Sequence, residues 1–353
     1  MATIRDVAHA AAVSPATVSR ILNEDPTFKV VAATRQSVLA AAAKLNYTPP
    51  TKAPLIKRRQ RITKATIGVI TLTDDEQSAL DAPYWGAIRN GLQHSAAVKH
   101  LQLAFLFSLR DAHPNWQLVK QCGAVIVVGA IDDELRTYLW QQNPHLVVID
   151  DHRPGQRYDT VYNDFAQQTH HLLDYLYARG YREIGFIGAS MPLFNRQGMA
   201  SEFIDDGRYT AYLEWMARHN LALPMAPLIL PDGATQTAIE ALNPLITQGA
   251  KLPQAMIVAS DQIALGLYHV CQAQNITLPT QMAIVSFGDL EVTRFLMPPL
   301  TTIQPNPAMM GQVALNLAAA HLQGAPEAPV RVRVASTLVE RDSVGLDKRD
   351  DLG

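Results

Sequence analysis

Cysteine is nearly absent from this chain: Cys122 and Cys271 are the only two in 353 residues. They lie far apart in apolar stretches, which excludes a disulfide framework and leaves buried reduced thiols as the expectation. No uninterrupted apolar run reaches the roughly 18 residues of a membrane span, and the first residues carry no signal-peptide core. A cytoplasmic protein without a membrane partner is expected. The 11 histidines include the pair His170-His171, but adjacent helical positions point apart and no HxxxH or CxxC accompanies them, so neither a metal site nor a cofactor is expected. GxSxG, HExxH, P-loop and GxGxxG patterns are missing, and scattered acids make no acid–base pair without a partner, so the chain does not read as an enzyme.

What is present is a sharp division of charge. Residues 1–65 hold 11 Lys and Arg against 3 Asp and Glu, whereas the remainder holds 19 against 29. A basic head on an acidic body is what phosphate contact by one domain requires. Within the head, apolar residues recur at helical spacing at Ile4, Val7, Ala8 and Ala11, and again at Val18, Ile21 and Leu22 after a short turn at Ala12-Val13. Ser14 is placed to cap the second helix and Pro15 to open it. A third helix over about 32–46 offers Val38, Leu39, Ala42 and Leu45 as one face. Two helices joined this closely make a helix-turn-helix. Its second helix exposes Pro15, Ala16, Thr17, Ser19 and Arg20, small enough to enter a major groove.

The runs IRDVA from Ile4, VSPATVSRILN from Val13 and LNYTP from Leu45 resemble the head of the LacI/GalR family of bacterial repressors. The resemblance implies that Pro15, Ala16 and Thr17 face bases, while Thr3, Ser14, Ser19, Asn23, Thr34 and Tyr47 mainly hold phosphates. It leaves Arg20 to either role. One departure is Ala12, where the family usually has glycine in the turn.

Residues 49–65 read as a basic, proline-punctuated linker. The resemblance gives it a hinge helix with Leu55 or Ile56 as a wedge into the minor groove. Pro50 and Pro54 depart from that pattern, since proline inside a helix costs about 3 kcal/mol. A helix here would start at Pro54. The head proper is then 1–48 and the body 66–345.

The body alternates apolar runs (67–72, 101–107, 124–128, 146–150, 184–187, 228–230, 255–259, 283–287) with amphipathic stretches (84–98, 165–178, 207–219, 235–247, 262–274). This is the pattern of βαβ units and parallel sheets covered on both faces. The restart REIGFIG from Arg182 echoes TIGVI from Thr66 and implies two doubly wound lobes in series. IVASDQIALG from Ile257 and PPLTTI from Pro298 resemble the family's periplasmic-binding-protein-like core. By that likeness the first lobe takes 66–163 and 302–328, and the second takes 164–301 and 329–345, including the final strands VRVRV and STLV.

Ligands of doubly wound sheets bind outside the carboxyl ends of strands. Polar and aromatic residues at those ends nominate Thr71, Tyr84, Asp150, Tyr162, Ser260 and Asp289 as contacts for a small molecule. Carboxylates that accept paired hydroxyls, with rings that stack on C–H faces, suit an uncharged sugar. Ser190, Asp232 and Asp261 also follow strands; for Asp232 and Asp261 capping a helix is at least as good a reading. Sugar-binding relatives often carry Arg-x-x-Gly-aromatic at the helix here written FIDDGRYTAY; aligned through Tyr209, that arginine's place holds Asp205, and Arg208 or Arg196 would have to substitute. The wording VIDDHRPG, DAPYWGAIR and RFLMPPL resembles the galactose-operon and evolved β-galactosidase branch, which tilts the effector to a galactoside. The expectation is a homodimeric repressor of operator DNA under allosteric sugar control. A transport-type sugar-binding protein with a fused head, a sugar-modifying transferase and an activator of the same family are the alternatives.

Overall fold

The computed structural model describes residues 4–22, 30–45, 62–72, 82–153, 157–324 and 328–345. They fall into two compact units, Met1–Arg61 and Ile62–Gly353.

The first unit holds α1 (Ile4–Ala10), α2 (Pro15–Leu22) and α3 (Ala32–Lys44). Ser14 Oγ accepts the Thr17 backbone N–H at 3.1 Å, and Pro15 takes the first helical position, where a missing N–H costs nothing. Val7, Ala8, Ala11, Val18, Ile21, Val38, Ala41 and Ala42 form the core. Leu39, expected on the core face of α3, is instead 49% exposed. The buried stripe runs through positions 38, 41, 42 and 45, and residue 39 lies about 100° around the helix from 38. Ala12 stands at φ 52°, the left-handed region that favours glycine. Ala12→Gly is therefore expected to stabilise the head by up to about 1 kcal/mol, read as a higher urea midpoint at unchanged slope.

In the second unit the order is β1 (Thr66–Thr71), α4 (Ala82–Val98), β2 (Gln102–Ser108), α5 (Gln117–Gln121), β3 (Ala124–Val128), α6 (Asp133–Gln142), β4 (Leu146–Ile149) and β5 (Asp159–Asn163). It continues with α7 (Phe165–Ala178), β6 (Ile184–Ala189), β7 (Met191–Phe194), β8 (Ala200–Ile204), α8 (Gly207–Arg218), β9 (Leu228–Leu230) and α9 (Thr235–Thr247). Then come β10 (Ala255–Val258), α10 (Asp261–Ala273), β11 (Ala283–Phe287), β12 (Thr301–Gln304), α11 (Pro307–Leu322), β13 (Arg331–Val334) and β14 (Thr337–Val339).

One sheet has the order β13-β5-β4-β3-β1-β2 and the other β14-β12-β11-β10-β6-β9. All neighbours are parallel except β14, which runs antiparallel to β12. The five-strand runs β2-β1-β3-β4-β5 and β9-β6-β10-β11-β12 share one winding, so the echo between Thr66 and Arg182 is an echo of topology. In the first lobe, α4 and α11 cover one sheet face and α5 and α6 the other. In the second, α7 and α8 cover one face and α9 and α10 the other.

The lobe limits differ from the sequence reading at two places. Residues 302–304, given by the sequence to the first lobe, continue β12 from Thr301, and β12 pairs with β11 in the second sheet, so the chain returns to the first lobe only after Gln304. Residues 331–334, assigned by sequence to the second lobe, form β13 beside β5 in the first. Both errors have one cause: alternation such as VRVRV identifies a strand but not the sheet it joins, and only backbone pairing reveals that.

Candidate functional site

Ser14, which precedes α2, and Pro15 and Arg20 on α2 are exposed; Thr17 on α2 and Thr34 on α3 are half-buried. The Thr17 hydroxyl lies 2.9 Å from Ser14 Oγ, so both hydroxyls sit at the entry to the second helix of the motif. Ala16 and Ser19 are placed on α2 by their backbone. Thr3, Asn23, Tyr47, Leu55 and Ile56 lie outside the described residues.

The second unit contains a cleft of about 550 Å³ at the carboxyl ends of both sheets. Tyr84 and Trp85 on α4, Asp150 and His152 after β4, and Asn163 at the end of β5 come from the first lobe. Phe165 on α7, Asp206 and Arg208 at the start of α8, Ser260 before α10, Phe287 and Asp289 around the end of β11, and Gln304 closing β12 come from the second.

Asp150 stands at φ 66°. Its Oδ1 accepts the Tyr84 hydroxyl at 3.2 Å and the Asn163 carboxamide at 2.9 Å. Burial pushes the Asp150 carboxyl above the usual carboxylate range, against the pull of His152, Tyr84 and Arg208. Tyr84 is pushed well up for the same reason, burial first and then the neighbouring Asp150 charge. Across the cleft Arg208 Nε donates to both oxygens of Asp206 at 2.9 Å, and its Nη1 donates to the Ala259 carbonyl. Burial alone would raise Asp206, but the Arg208 charge and its hydrogen bonds hold that carboxyl below its ordinary value. The guanidinium also lies 5.1 Å from the Phe165 ring and 5.5 Å from Phe287, which fixes it as a planar donor beside two aromatic faces.

Asp289 lines the cleft, but its carboxylate is already engaged: Arg341 donates to Oδ1, and Gln304 donates to Oδ2 at 2.7 Å. The tail arginine therefore supports the site, a role with no local sequence signal. Asp261 is a buried acceptor for the Ser286 and Thr302 hydroxyls and for the Leu290 N–H. The cap of α10 is Ser260, whose Oγ accepts from Ile263 N–H.

Of the expected contacts, Tyr84, Asp150, Arg208, Ser260 and Asp289 meet in the cleft. Thr71 does not; it lines a narrow crevice with Trp85 and Phe105. Tyr162 packs near His152 and Arg331, and the cleft takes its neighbour Asn163, because adjacent strand residues face opposite ways. Asp205 precedes the capping residue Asp206, and it is Asp206 that reaches the cleft. Arg196 is held elsewhere, over Trp116 and Tyr138. Asn163, Phe165, Phe287 and Gln304 were not singled out by sequence; a strand-end rule applied to β5 and β12 would have found Asn163 and Gln304.

The hairpin β7–β8 leaves the second lobe and fastens onto the first. Phe194 donates its N–H to Ala130 and accepts from Asp132 N–H at 3.0 Å. Ser201 Oγ donates to Asp132 Oδ2 at 2.8 Å, and Arg196 to the Tyr138 hydroxyl at 3.1 Å.

The cleft stacks, accepts and donates; among the described residues no group of three His, Cys, Asp or Glu side chains is arranged to hold a metal. No helix among them is long and apolar enough to cross a membrane.

Residues 3–50 match the model of bacterial regulatory proteins of the lacI family, and residues 173–344 match the periplasmic binding protein-like domain. The chain is 32% identical to the HTH-type transcriptional regulator GalR of Lacticaseibacillus casei, over 97% of this chain and 99% of that one. It is 29% identical to the HTH-type transcriptional repressor MelR of Bacillus subtilis, over 99% of each. Among solved structures, the lac repressor dimer bound to operator and the anti-inducer ONPF has the same fold, with a TM-score of 0.64 at 22% identity over 98% of this chain and 99% of that one. A helix-turn-helix head, a two-lobed periplasmic-binding-protein-like body and end-to-end similarity to such regulators together establish that the chain belongs to the LacI/GalR family of transcriptional regulators, which bind DNA and do not catalyse.

Proposed function

We propose that this chain is a cytoplasmic repressor whose grip on operator DNA is controlled by a small neutral sugar, a galactoside, bound between the lobes of residues 66–345. The observation that carries the reading is the cleft itself, in which the rings of Tyr84, Trp85, Phe165 and Phe287 accompany carboxylates, carboxamides and a guanidinium. Aromatic faces take the C–H side of a sugar ring, and planar side chains of fixed geometry take its hydroxyl pairs. The head of residues 1–48 reads half an operator, so the working unit is a homodimer on a near-palindrome. Phe295 and Met297, 74% and 91% exposed, support a partner surface on the second lobe. Whether the bound protein represses or activates follows from where its site lies relative to a promoter.

An effector preferring the lobe arrangement incompatible with paired heads weakens DNA binding, and DNA weakens effector binding equally, by about 1 to 3 kcal/mol. The test is gel-shift titration of the purified chain on promoter fragments beside its own gene, with and without galactosides; a complex indifferent to all of them refutes sugar control. Arg20→Ala is expected to weaken operator binding by about 1 to 3 kcal/mol with unchanged effector affinity. An equal loss of both would argue against separate DNA and effector sites.

A further inference from the structure

A second cavity of about 450 Å³ adjoins the cleft. Met191, Asp206, Arg208, Ser260 and Gln262 line both cavities, so the two abut along the Asp206–Arg208 pair. The second cavity adds Ser190, Asp232, Gly233 and Ala234, at the carboxyl ends of β6 and β9. We propose that this cavity is a second sugar subsite, and that the effector of this chain is a disaccharide or longer neutral saccharide. The inference rests on the sugar reading given under Proposed function and specifies the size of the ligand.

Volume is the first argument. A hexose has about twelve heavy atoms; even at the roughly 30 Å³ a water takes in the liquid, it fills at most about 360 Å³. The main cleft alone exceeds that volume, and the adjoining cavity is left for a further ring.

Chemistry is the second argument. The main cleft holds Tyr84, Trp85, Phe165 and Phe287, which select and orient one ring by stacking. Among the described residues the adjoining cavity has no aromatic side chain in its lining and offers two hydroxyls, a carboxamide, two carboxylates and the shared guanidinium, groups that hold a second ring by its edges. The carboxylates of Asp206 and Asp232 share the space with one guanidinium, Arg208, which already pairs with Asp206. A phosphorylated or acidic sugar is disfavoured there by like charge.

Backbone geometry is the third. Gly233 lines the adjoining cavity, and a Cβ added to it meets no atom within 4 Å, so a side chain can begin there without a clash at its first atom.

The test is calorimetric titration of the full chain with galactose, lactose and melibiose, repeated on Gly233→Trp. The tighter-binding disaccharide is expected to bind about ten-fold better than galactose, with Gly233→Trp removing that advantage and leaving the galactose Kd within about two-fold. An unchanged thermal midpoint and operator affinity of the variant show that it folds. Galactose binding as tightly as both disaccharides, or a disaccharide advantage that survives Gly233→Trp, overturns the subsite while leaving sugar control intact. Failure of all three sugars to bind the wild-type chain overturns the galactoside reading and the subsite together.

Discussion

Asp206→Ala is expected to lower the unfolding free energy by about 3 to 5 kcal/mol, because it leaves the Arg208 guanidinium largely buried without its counter-charge. The side chains of Arg208 and Asp206 are 17% and 8% exposed, so water compensates little. The same substitution removes the cap of α8, where Asp206 Oδ1 accepts the Arg208 backbone N–H at 2.8 Å, a loss of about 1 kcal/mol within that total. Asp206→Asn separates the two effects, since asparagine caps as well as aspartate but carries no charge. Urea midpoints at constant slope give the comparison; equal stability of wild type and Asp206→Ala would mean that Arg208 finds another partner. Effector affinity is expected to fall in both variants, as Arg208 loses its fixed orientation.

The pH dependence of that comparison has a definite sign. The Asp206 carboxyl is held below its ordinary value in the folded chain, so its contribution is present above about pH 4, the unfolded value, and is lost as pH falls through the lowered folded one. The gap between wild type and Asp206→Asn is therefore expected to be full at neutral pH and to shrink as the medium is acidified. Asp150 and Asp261 act in the opposite sense. Burial raises both, so they favour the folded state most when protonated, and that benefit fades as pH rises through their raised values. A gap that widened toward acid would contradict the assignment of Arg208 and Asp206 as a charged pair.

The parallel strands were legible because each is a short apolar run at βα spacing; β3 and β10 are buried along their whole length. Strand β5 was not legible as a strand, because DTVYN begins and ends with polar residues that the fold buries for specific bonds: Asp159 accepts from His321 and Val330, and Asn163 donates to Asp150. The site was legible to the extent that the rule of strand ends applies. It selects the correct end of the sheets, hence Tyr84, Asp150, Ser260 and Asp289, whereas Arg208 was reached only through the family likeness at Tyr209; the rule does not decide which of two neighbouring residues turns inward. That ambiguity separates Tyr162 from Asn163 and Asp205 from Asp206. Arg341 escapes any local rule, since it reaches Asp289 from 52 residues away.

Gly198→Val is expected to unseat the hairpin β7–β8, at a cost of about 2 to 3 kcal/mol. Gly198 stands at φ 69°, and a Cβ there would lie 2.3 Å from the Leu109 carbonyl oxygen in the first lobe. Valine in the left-handed region costs about 1 to 2 kcal/mol by itself, and backbone gives way less readily than the end of a flexible side chain. Displacement would then forfeit the Ser201–Asp132 hydrogen bond and the stacking of Arg196 over Tyr138, 4.0 Å from its ring. Asp132 would keep its second task, accepting the Leu135 N–H that caps α6, so the damage should stay local. The three backbone crossings would still join the lobes. Limited proteolysis is expected to cut the variant within residues 191–204 well before the wild type, while the rest of the body resists. Cleavage at equal rates would show that the hairpin is held by its own strand pairing, with its anchorage on the first lobe contributing nothing.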